Sequence, residues 1–370
     1  MGITRRELNL AIFEGTADKV LWQPRLETWL GYHRENGTFP ERFRGKSDFE
    51  IYDALGCSVR YAACVGIEGY SSSGEIRETE ERQGNFLTIT IHTPVGKLKT
   101  IHQESYGGVK SINRRIVEFP VKTAADLKVL TYIVNNQQFR ANPEVFRKAA
   151  DNVGKRAEPT VFLSSSGFTE LIKNYSGLTD TYYLLYDNPS EVEEYLEACD
   201  ARDDRLITEA LKLPCRIFNL GDHAIDEFTP PAILEKYLLP RWQHISSRLH
   251  RQNRYVHTHW DGNAKTILKF LKDTGLDGVE ALPPVPMGNV TLEEIKEAVG
   301  NKMVVLDLLP AIHFMSHFTM KETVEFARRV IDMFAPKLIF GISDEISEVG
   351  EIEKVEAISK LVDDICGLAE

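Results

Sequence analysis

The pattern of apolar and polar positions predicts a chain in which short strands alternate with helices. Seven segments have strand character, at residues 19–22, 160–163, 216–220, 255–261, 278–281, 303–306 and 338–340. Segments with helical spacing separate them, for example at 189–211 and 263–272. Strands and helices that alternate this many times indicate a parallel sheet with helices outside it.

This alternation fits either a closed eight-fold barrel or an open doubly wound sheet. No G-x-G-x-x-G motif follows the first strand, and polar residues follow nearly every strand instead of one crossing point. We therefore predict an α/β fold, a (β/α)8 TIM barrel formed by residues 1–370 as a single domain. Thr4 and Glu7 form a capping-box pair, which predicts an N-terminal helical segment.

The region around 75–121 has a different pattern. Apolar and polar residues alternate at 87–91 and again at 97–102, on either side of a Thr-Pro-Val-Gly turn at 93–96. Alternation with period two around such a turn indicates a β-hairpin. Because the region lacks the helices found elsewhere, we predict a β-rich insertion in the barrel domain.

Composition narrows the function classes. The chain has 44 Lys and Arg against 55 Asp and Glu, a net charge of −11, and no basic run suited to nucleic acid. Apolar residues make up 42% of the chain, but their longest runs are too short for a membrane span. No apolar leader follows Arg5 and Arg6, so we expect a cytoplasmic protein.

The five cysteines do not predict a disulfide framework or a zinc knuckle. They are odd in number, far apart and without a C-x-x-C pair, at positions Cys57, Cys64, Cys199, Cys215 and Cys366. Buried free thiols are the simplest interpretation.

The segment 254–262, with the sequence RYVHTHWDG, holds the main candidates for chemistry. If it forms a strand, His257, His259 and Asp261 share one face. His259 and Asp261 could then reach one ion or one reacting group, with His257 one step deeper. A polar strand end that its neighbours satisfy, without any chemistry, is the alternative.

In a barrel, the carboxyl ends of the strands converge on one mouth, where active sites lie. The residues that the predicted strand ends bring there are Arg25, Ser164, Ser165, Asp222, His223, His257, His259, Asp261, Glu280, Asp307, Asp344 and Glu345. Carboxylates and imidazoles of this kind can hold zinc, manganese or iron, or perform acid and base catalysis. Arg25 and Trp29 are further candidates for contact with an anionic or flat apolar substrate.

Several motifs resemble those of the uroporphyrinogen decarboxylase superfamily. They are Gly-Asp-His at 221–223 followed by Thr-Pro-Pro at 229–231, His-Trp-Asp-Gly at 259–262, Gly-Leu-Asp-Gly-Val-Glu at 275–280 and Phe-Gly-Ile-Ser-Asp at 340–344. The true decarboxylases carry Arg-Gln-Ala-Gly-Arg after the first strand to hold a substrate with many carboxylates. Here residues 23–26 read Gln-Pro-Arg-Leu, with one arginine, and the mouth is acidic.

The chain is more similar to the corrinoid-linked methyltransferase branch, which includes O-demethylase and methylcobamide methyltransferases. In the members that use a thiol, zinc binds a His-x-Cys pair and a later cysteine. The matching positions here are His259, Asp261 and Asp344, so carboxylates replace both thiolates. Harder ligands make zinc more Lewis acidic, which argues against coenzyme M as the acceptor.

The resemblance implies a metal-dependent enzyme that moves a methyl group between a small substrate, such as a methoxylated aromatic, and a corrinoid protein. It implies zinc on His259, Asp261 and Asp344, with cobalamin supplied by a separate protein, since no Asp-x-His-x-x-Gly motif is present. A homodimer is also expected, because relatives of this shape are often dimers. In this hypothesis the catalytic residues are His259, Asp222 and Glu280, and the substrate-binding residues are Arg25, Trp29, His223, His257 and Trp260.

Two alternatives remain open. The first is a carboxy-lyase similar to uroporphyrinogen decarboxylase, in which Asp222 and Arg25 steady charge on a carboxylated ring. The second is a binding protein that keeps the barrel without the chemistry.

Overall fold

The computed structural model describes residues 2–106 and 109–366. The contacts between residues divide the chain into two compact units. The first unit comprises Met1–Val65, Glu144–Phe162 and Pro214–Glu370, and the second unit comprises Gly66–Pro143 and Leu163–Leu213.

The helices are α1 (Arg5–Glu14), α2 (Glu27–Asn36), α3 (Asp48–Ala54), α4 (Ala124–Asn135), α5 (Pro143–Val153), α6 (Gly167–Glu170), α7 (Gly177–Asp187), α8 (Pro189–Ala210), α9 (Pro231–Ile233), α10 (Leu239–His250), α11 (Leu292–Val299), α12 (Met320–Phe334) and α13 (Ile352–Cys366). The strands are β1 (Leu21–Trp22), β2 (Ile67–Ser71), β3 (Arg77–Gln83), β4 (Phe86–Thr93), β5 (Gly96–Tyr106), β6 (Val109–Glu118), β7 (Gln137–Ala141), β8 (Thr160–Leu163), β9 (Ile217–His223), β10 (Tyr255–His259), β11 (Gly278–Glu280), β12 (Val304–Pro310) and β13 (Leu338–Ser343).

The first unit is built on a curled parallel sheet with the strand order β1-β13-β12-β11-β10-β9-β8. Strands that follow one another along the chain are therefore neighbours, as in a TIM barrel. Every residue of β12 and β13 is buried, as expected for parallel strands covered on both faces. The predicted fold class is confirmed.

Seven regular strands form this sheet, whereas the barrel prediction has eight. The irregular segment 57–60 takes the eighth place, next to β1. Ser58 N donates to Trp22 O at 2.9 Å, and Ser58 Oγ donates to Arg156 O, ahead of β8, at 2.6 Å. One backbone and one side-chain hydrogen bond do not make a regular strand, but they hold this segment beside the sheet.

The second unit contains antiparallel sheet and helices. Strands β3, β4, β5 and β6 form one four-stranded sheet, and β2 pairs with β7. The β4–β5 pair is the hairpin predicted around residues 93–96, and its register joins Thr93 to Gly96. Apolar side chains of α4, α7 and α8, including Leu127, Leu184 and Tyr195, pack into the core of this unit.

Helix starts follow the sequence closely. Capping boxes begin α1 at Thr4, α11 at Thr291 and α12 at Thr319. The long helix predicted at 189–211 is observed as α8. Among the described residues, no helix combines the length and apolar character needed to cross a bilayer.

The helix predicted at 263–272 is wrong in its first half, since only a 3₁₀ segment at Leu268–Asp273 is regular. Ala264 N and Lys265 N donate to Asn289 Oδ1 at 2.9 and 3.1 Å, which is compatible with the first turn of a helix. The turns that follow use i→i−3 hydrogen bonds, such as Ile267 N to Ala264 O at 3.2 Å and Phe270 N to Ile267 O at 3.0 Å, as in a 3₁₀ helix.

Lys354 gives a test of the packing between α13 and the loop that precedes α12. It is 1% exposed, and its Nζ atom donates to Met315 O at 2.7 Å and to Phe318 O at 2.6 Å. We expect Lys354→Met to lower the free energy of unfolding by about 3 kcal/mol, because two partly buried carbonyls lose their donor. Urea denaturation measures this value.

The matched control is Lys360→Met, at an exposed position of the same helix. We expect it to change the free energy of unfolding by less than about 0.5 kcal/mol. Equal losses in the two variants would contradict the proposed role of Lys354.

Candidate metal centre

The Glu280 carboxylate, at the end of β11, faces two histidines of the neighbouring strand β10. β10 ends at His259, which is in register with Glu280 at the end of β11. His259 Nδ1 lies 3.1 Å from Glu280 Oε1, and His257 Nδ1 lies 3.5 Å from Glu280 Oε2. His257 and Glu280 are each 1% exposed, so this contact lies inside the protein.

Three more side chains surround the same carboxylate. Asn219 Nδ2, on β9, donates to Glu280 Oε1 at 2.7 Å. The Tyr61 hydroxyl donates to Glu280 Oε2, and Arg60 Nη1 lies 3.4 Å from that oxygen. Burying a carboxylate is unfavourable unless it is paired and hydrogen bonded, and this ring of donors provides both.

These contacts shift the pKa values of both imidazoles and of the acid. Burial lowers the pKa of His257 to about 4. Burial also opposes protonation of His259, but the hydrogen bond with Glu280 and its charge outweigh this and raise the pKa of His259. Burial would raise the pKa of Glu280, yet the two imidazoles and Arg60 hold it well below its usual range. The site therefore favours an ionised Glu280 beside His259.

Arg60 joins Glu280 to a second buried carboxylate, Asp307 of β12. Arg60 Nη1 donates to Asp307 Oδ2 at 2.9 Å, and Arg60 Nη2 lies 2.8 Å from Asp307 Oδ1. Ala281 N donates to Asp307 Oδ2 at 3.1 Å. Burial raises the pKa of Asp307 to about 6, even with Arg60 beside it.

The pair of Arg60 and Asp307 fits because residue 341 is glycine. A Cβ atom on Gly341 would lie 2.2 Å from Asp307 Oδ1 and 2.9 Å from Gln23 O. Asp307 itself has a φ of +80°, a backbone angle that residues other than glycine rarely adopt. Such conformations persist where the surroundings hold them, and they are frequent at functional sites.

Three side chains beside this network could hold one metal ion. His259, Asp261 and Asp344 each offer a ligand atom, and these atoms lie within 4.8 Å of one another. Asp261 follows β10 and Asp344 follows β13, so two separate strand ends supply the set. Since Glu280 occupies His259 Nδ1, Nε2 is the nitrogen left for an ion. Metal-binding histidines commonly bond a carboxylate through their other nitrogen, so the residues fit a metal.

Arg25 lies at the edge of this group. Its guanidinium donates to Asp344 Oδ1 through Nη1 and to Glu345 Oε1 through Nη2. Thr28 N also donates to Glu345, at 3.0 Å. Arg25 therefore fixes Asp344 and offsets part of the negative charge of the centre.

The structure brings some of the other predicted site residues to this centre. The His223 ring lies 5.2 Å from that of His259, measured between centroids. Asp222 is fully buried and accepts from Trp242 Nε1 at 2.7 Å and Arg241 Nη1 at 2.9 Å. Asp222 thus links β9 to α10, and its catalytic role stays a prediction.

The two tryptophans predicted to contact substrate lie in the hydrophobic core. Trp29 is 2% exposed, and its ring lies 4.3 Å from that of His33 and 5.7 Å from that of Phe39. Trp260 is fully buried, 5.9 Å from the ring of Trp242. In this conformation neither indole offers an open face to a substrate.

Sequence reasoning missed Arg60, Tyr61 and Asn219. Arg60 and Tyr61 belong to the irregular eighth position, where no alternation marks a strand end. Asn219 is detectable in principle, because it is an amide within the apolar strand β9. Asp307 was placed at the mouth, but its pairing with Arg60 joins residues 247 positions apart.

A comparison with known protein families identifies the family of this chain. The family model described as "Uroporphyrinogen decarboxylase (URO-D)" matches residues 112–365, which is more than half of the chain. The chain belongs to the uroporphyrinogen decarboxylase family. The predicted superfamily is thereby confirmed.

Two solved structures align with nearly the whole of this chain, and the first supports its fold. A methyltransferase from Methanosarcina mazei aligns over 98% of this chain and 99% of its own, with a TM-score of 0.59 and 14% identity. A B12-independent methionine synthase from Shewanella sp. W3-18-1 aligns over 95% of this chain and 98% of its own, with a TM-score of 0.47 and 10% identity. Among curated proteins, none matches the sequence significantly.

The Arg60 network gives a prediction for stability. Arg60→Met leaves Asp307 and Glu280 buried without their cation, and we expect it to lower the free energy of unfolding by about 3–5 kcal/mol at pH 8. The loss should be smaller at pH 5. The pKa of Asp307 is higher in the folded protein than in the unfolded chain, so protonation of Asp307 favours folding. Arg60→Met raises the folded pKa further. At pH 5 Asp307 is protonated in the folded variant, so the missing cation costs less stability.

Denaturation curves at the two pH values check this expectation. Arg44→Met, at an exposed position, is the matched control and should have little effect at either pH. A loss for Arg60→Met that does not depend on pH would refute the assignment of Asp307 as the acid that titrates.

Proposed function

We propose that this chain is a zinc-dependent methyltransferase that moves a methyl group between a small methoxylated substrate and a corrinoid protein. The observation that carries the proposal is the convergence of His259, Asp261 and Asp344 at one end of the parallel sheet. Membership of the uroporphyrinogen decarboxylase family supports it, as does the fold shared with a protein titled methyltransferase.

The donor set suits zinc. One imidazole and two carboxylates would hold the ion, with at least one position left for a substrate atom, as in catalytic zinc sites. Bound there, zinc would supply a Lewis acid that polarises an ether oxygen and weakens its bond to the methyl carbon. Carboxylates in place of thiolates favour this role, because they donate less electron density to the ion and leave it a stronger Lewis acid.

The chain's own residues orient and balance this centre. Glu280 fixes the ring of His259 through Nδ1, and Asn219 with Tyr61 fixes Glu280. Arg25 holds Asp344 in place. Because protein side chains set these positions, the ligands are held close together before an ion binds.

The methyl acceptor is proposed to be a corrinoid on a separate protein, because the chain has no corrinoid-binding Asp-x-His-x-x-Gly motif. The resemblance to corrinoid-linked methyltransferases motivates this partner. Homodimer formation stays a prediction.

The carboxy-lyase alternative is less well supported by the contacts. It needs a cation that is available to a substrate carboxylate. Arg25 already binds Asp344 and Glu345, and Arg60 is enclosed by Asp307 and Glu280. An anionic ring would have to displace one of these pairs.

Metal content tests the centre directly. After expression in zinc-replete medium, elemental analysis should find about one zinc per chain. Asp261→Asn and Glu280→Gln should each weaken zinc affinity about 10–100-fold, the first by weakening a ligand and the second by releasing His259.

Asp273→Asn, an exposed acid outside the centre, is the control and should bind zinc normally. Zinc-free protein from this medium, or full affinity in Asp261→Asn, would count decisively against the metal site.

A methyl-transfer assay tests the reaction. Purified protein should methylate free cob(I)alamin from at least one member of a panel of methoxylated aromatics, followed by the absorbance change of the corrinoid. His259→Ala should abolish the transfer, whereas Asp273→Asn should not. If no member of the panel gives methyl transfer and a carboxylated ring releases carbon dioxide, the methyltransferase proposal is refuted and the carboxy-lyase alternative is supported.

A further inference from the structure

Tyr61 has a backbone conformation that is uncommon for residues other than glycine. Its φ is +57°, in the left-handed region. Residues held in such conformations cost free energy, and they cluster at functional sites. The contacts that Tyr61 makes in the first unit give this conformation a physical reason.

The left-handed backbone brings two neighbouring side chains to the same carboxylate. In an extended strand, consecutive side chains point to opposite faces, so Arg60 and Tyr61 would point apart. Here the Tyr61 hydroxyl donates to Glu280 Oε2, and Arg60 Nη1 lies 3.4 Å from the same oxygen. The conformation at residue 61 therefore lets both donors reach Glu280.

The Tyr61 hydroxyl is itself held in place. Asn219 Nδ2 donates to this hydroxyl at 2.8 Å and to Glu280 Oε1 at 2.7 Å, so Asn219 holds the hydroxyl and the carboxylate together. Burial raises the pKa of Tyr61, so the phenol keeps its proton and remains a donor. Glu280 Oε1 in turn lies 3.1 Å from His259 Nδ1. The hydroxyl of Tyr61 thus acts on the ring of His259 through one carboxylate.

The ring of Tyr61 contacts a second part of the candidate metal centre. The guanidinium carbon of Arg25 lies 5.5 Å from the ring centroid, within the range of a cation–π contact. The same guanidinium donates to Asp344. Phe162 packs against the Tyr61 ring, with centroids 4.3 Å apart, and limits its movement. The ring therefore supports the arginine that holds Asp344.

We propose that Tyr61 is a positioning residue for two candidate metal ligands, His259 and Asp344. Its hydroxyl fixes His259 through Glu280, and its ring fixes Asp344 through Arg25. Because the two ligands come from separate strands, one side chain that acts on both sets the distance between them. This inference rests on the proposed function, since it concerns the metal centre of that reaction.

The role of the hydroxyl is tested on metal-free protein. We expect a crystal structure of Tyr61→Phe to show His259 Nδ1 outside hydrogen-bond range of Glu280, when compared with a crystal structure of the unmodified chain. Tyr195→Phe, which removes a buried hydroxyl from the second unit, is the matched control and should leave both side chains in place. Unchanged positions in Tyr61→Phe would overturn the role of the hydroxyl.

Zinc affinity tests the hydroxyl and the ring together. Competition with a chromophoric chelator should show zinc binding about tenfold weaker in Tyr61→Phe and about 100-fold weaker in Tyr61→Leu, which also removes the ring. Tyr195→Phe should bind zinc as the unmodified chain does. Equal affinities in the two Tyr61 variants would refute the role of the ring, and full affinity in Tyr61→Leu would refute the proposal as a whole.

A spectroscopic measurement separates positioning from a general loss of structure. Co(II) can take the place of zinc, and its visible absorption reports the geometry of its ligands. At saturating Co(II), we expect an altered spectrum in Tyr61→Phe and an unchanged spectrum in Tyr195→Phe. Identical spectra for Tyr61→Phe and the unmodified chain would contradict the positioning role.

The route from the ring to Asp344 through Arg25 has its own test. If the ring acts through Arg25, then Arg25→Met should change zinc affinity less in the Tyr61→Leu background than in the Tyr61→Phe background. Effects of equal size in the two backgrounds would refute this route.

These measurements and the methyl-transfer assay fail independently. The expected pattern of zinc affinities without methyl transfer from any substrate would refute the proposed function and uphold the role of Tyr61. A displaced His259 in a Tyr61→Phe protein whose unmodified form binds no zinc would do the same. Methyl transfer by the unmodified chain, with zinc affinity unchanged in Tyr61→Leu, would refute this inference alone.

Discussion

The buried carboxylate of Glu280 is the constraint on which the candidate site depends. A fully buried ion must be paired and hydrogen bonded, and Glu280 draws His257, His259 and Asn219 together from neighbouring strands. Tyr61 completes its surroundings from the irregular eighth position of the sheet. The place of His259, and with it the candidate metal centre, follows from satisfying this one acid.

Two arginines extend this constraint to the rest of the sheet end. Arg60 pairs with Asp307, whose left-handed backbone and close approach to Gly341 leave little freedom for another arrangement. Arg25 pairs with Asp344 and Glu345 after β13 and so holds the candidate metal ligand Asp344 in place. Both arginines are therefore paired with carboxylates of the protein itself.

The fold was predictable because it depends on local periodicity. Short apolar runs between amphipathic helices specify parallel strands covered by helices, and capping residues such as Thr291 and Thr319 mark helix starts without any tertiary information. Prediction failed where the backbone departs from regular hydrogen bonding. At 263–272 the chain forms turns and a 3₁₀ segment with i→i−3 hydrogen bonds instead of an α-helix. The eighth strand position is likewise irregular, and its residues carry no pattern that marks them as part of the site.

The sequence by itself determined the order of the seven strands of the parallel sheet, because their apolar runs alternate with helices. Its resemblance to a known family indicated the family and the set of His259, Asp261 and Asp344 as ligand candidates. Only the tertiary structure decided which side chains surround them. Arg60 lies more than 200 residues from Glu280 and Asp307 in sequence, and Arg25 lies more than 300 from Asp344. The same holds for the tryptophans, since the burial of Trp29 and Trp260 depends on tertiary packing, in the case of Trp260 against Trp242 of α10. Electrostatic pairing and packing join residues that are close in space, so the spacing of residues along the chain does not predict them.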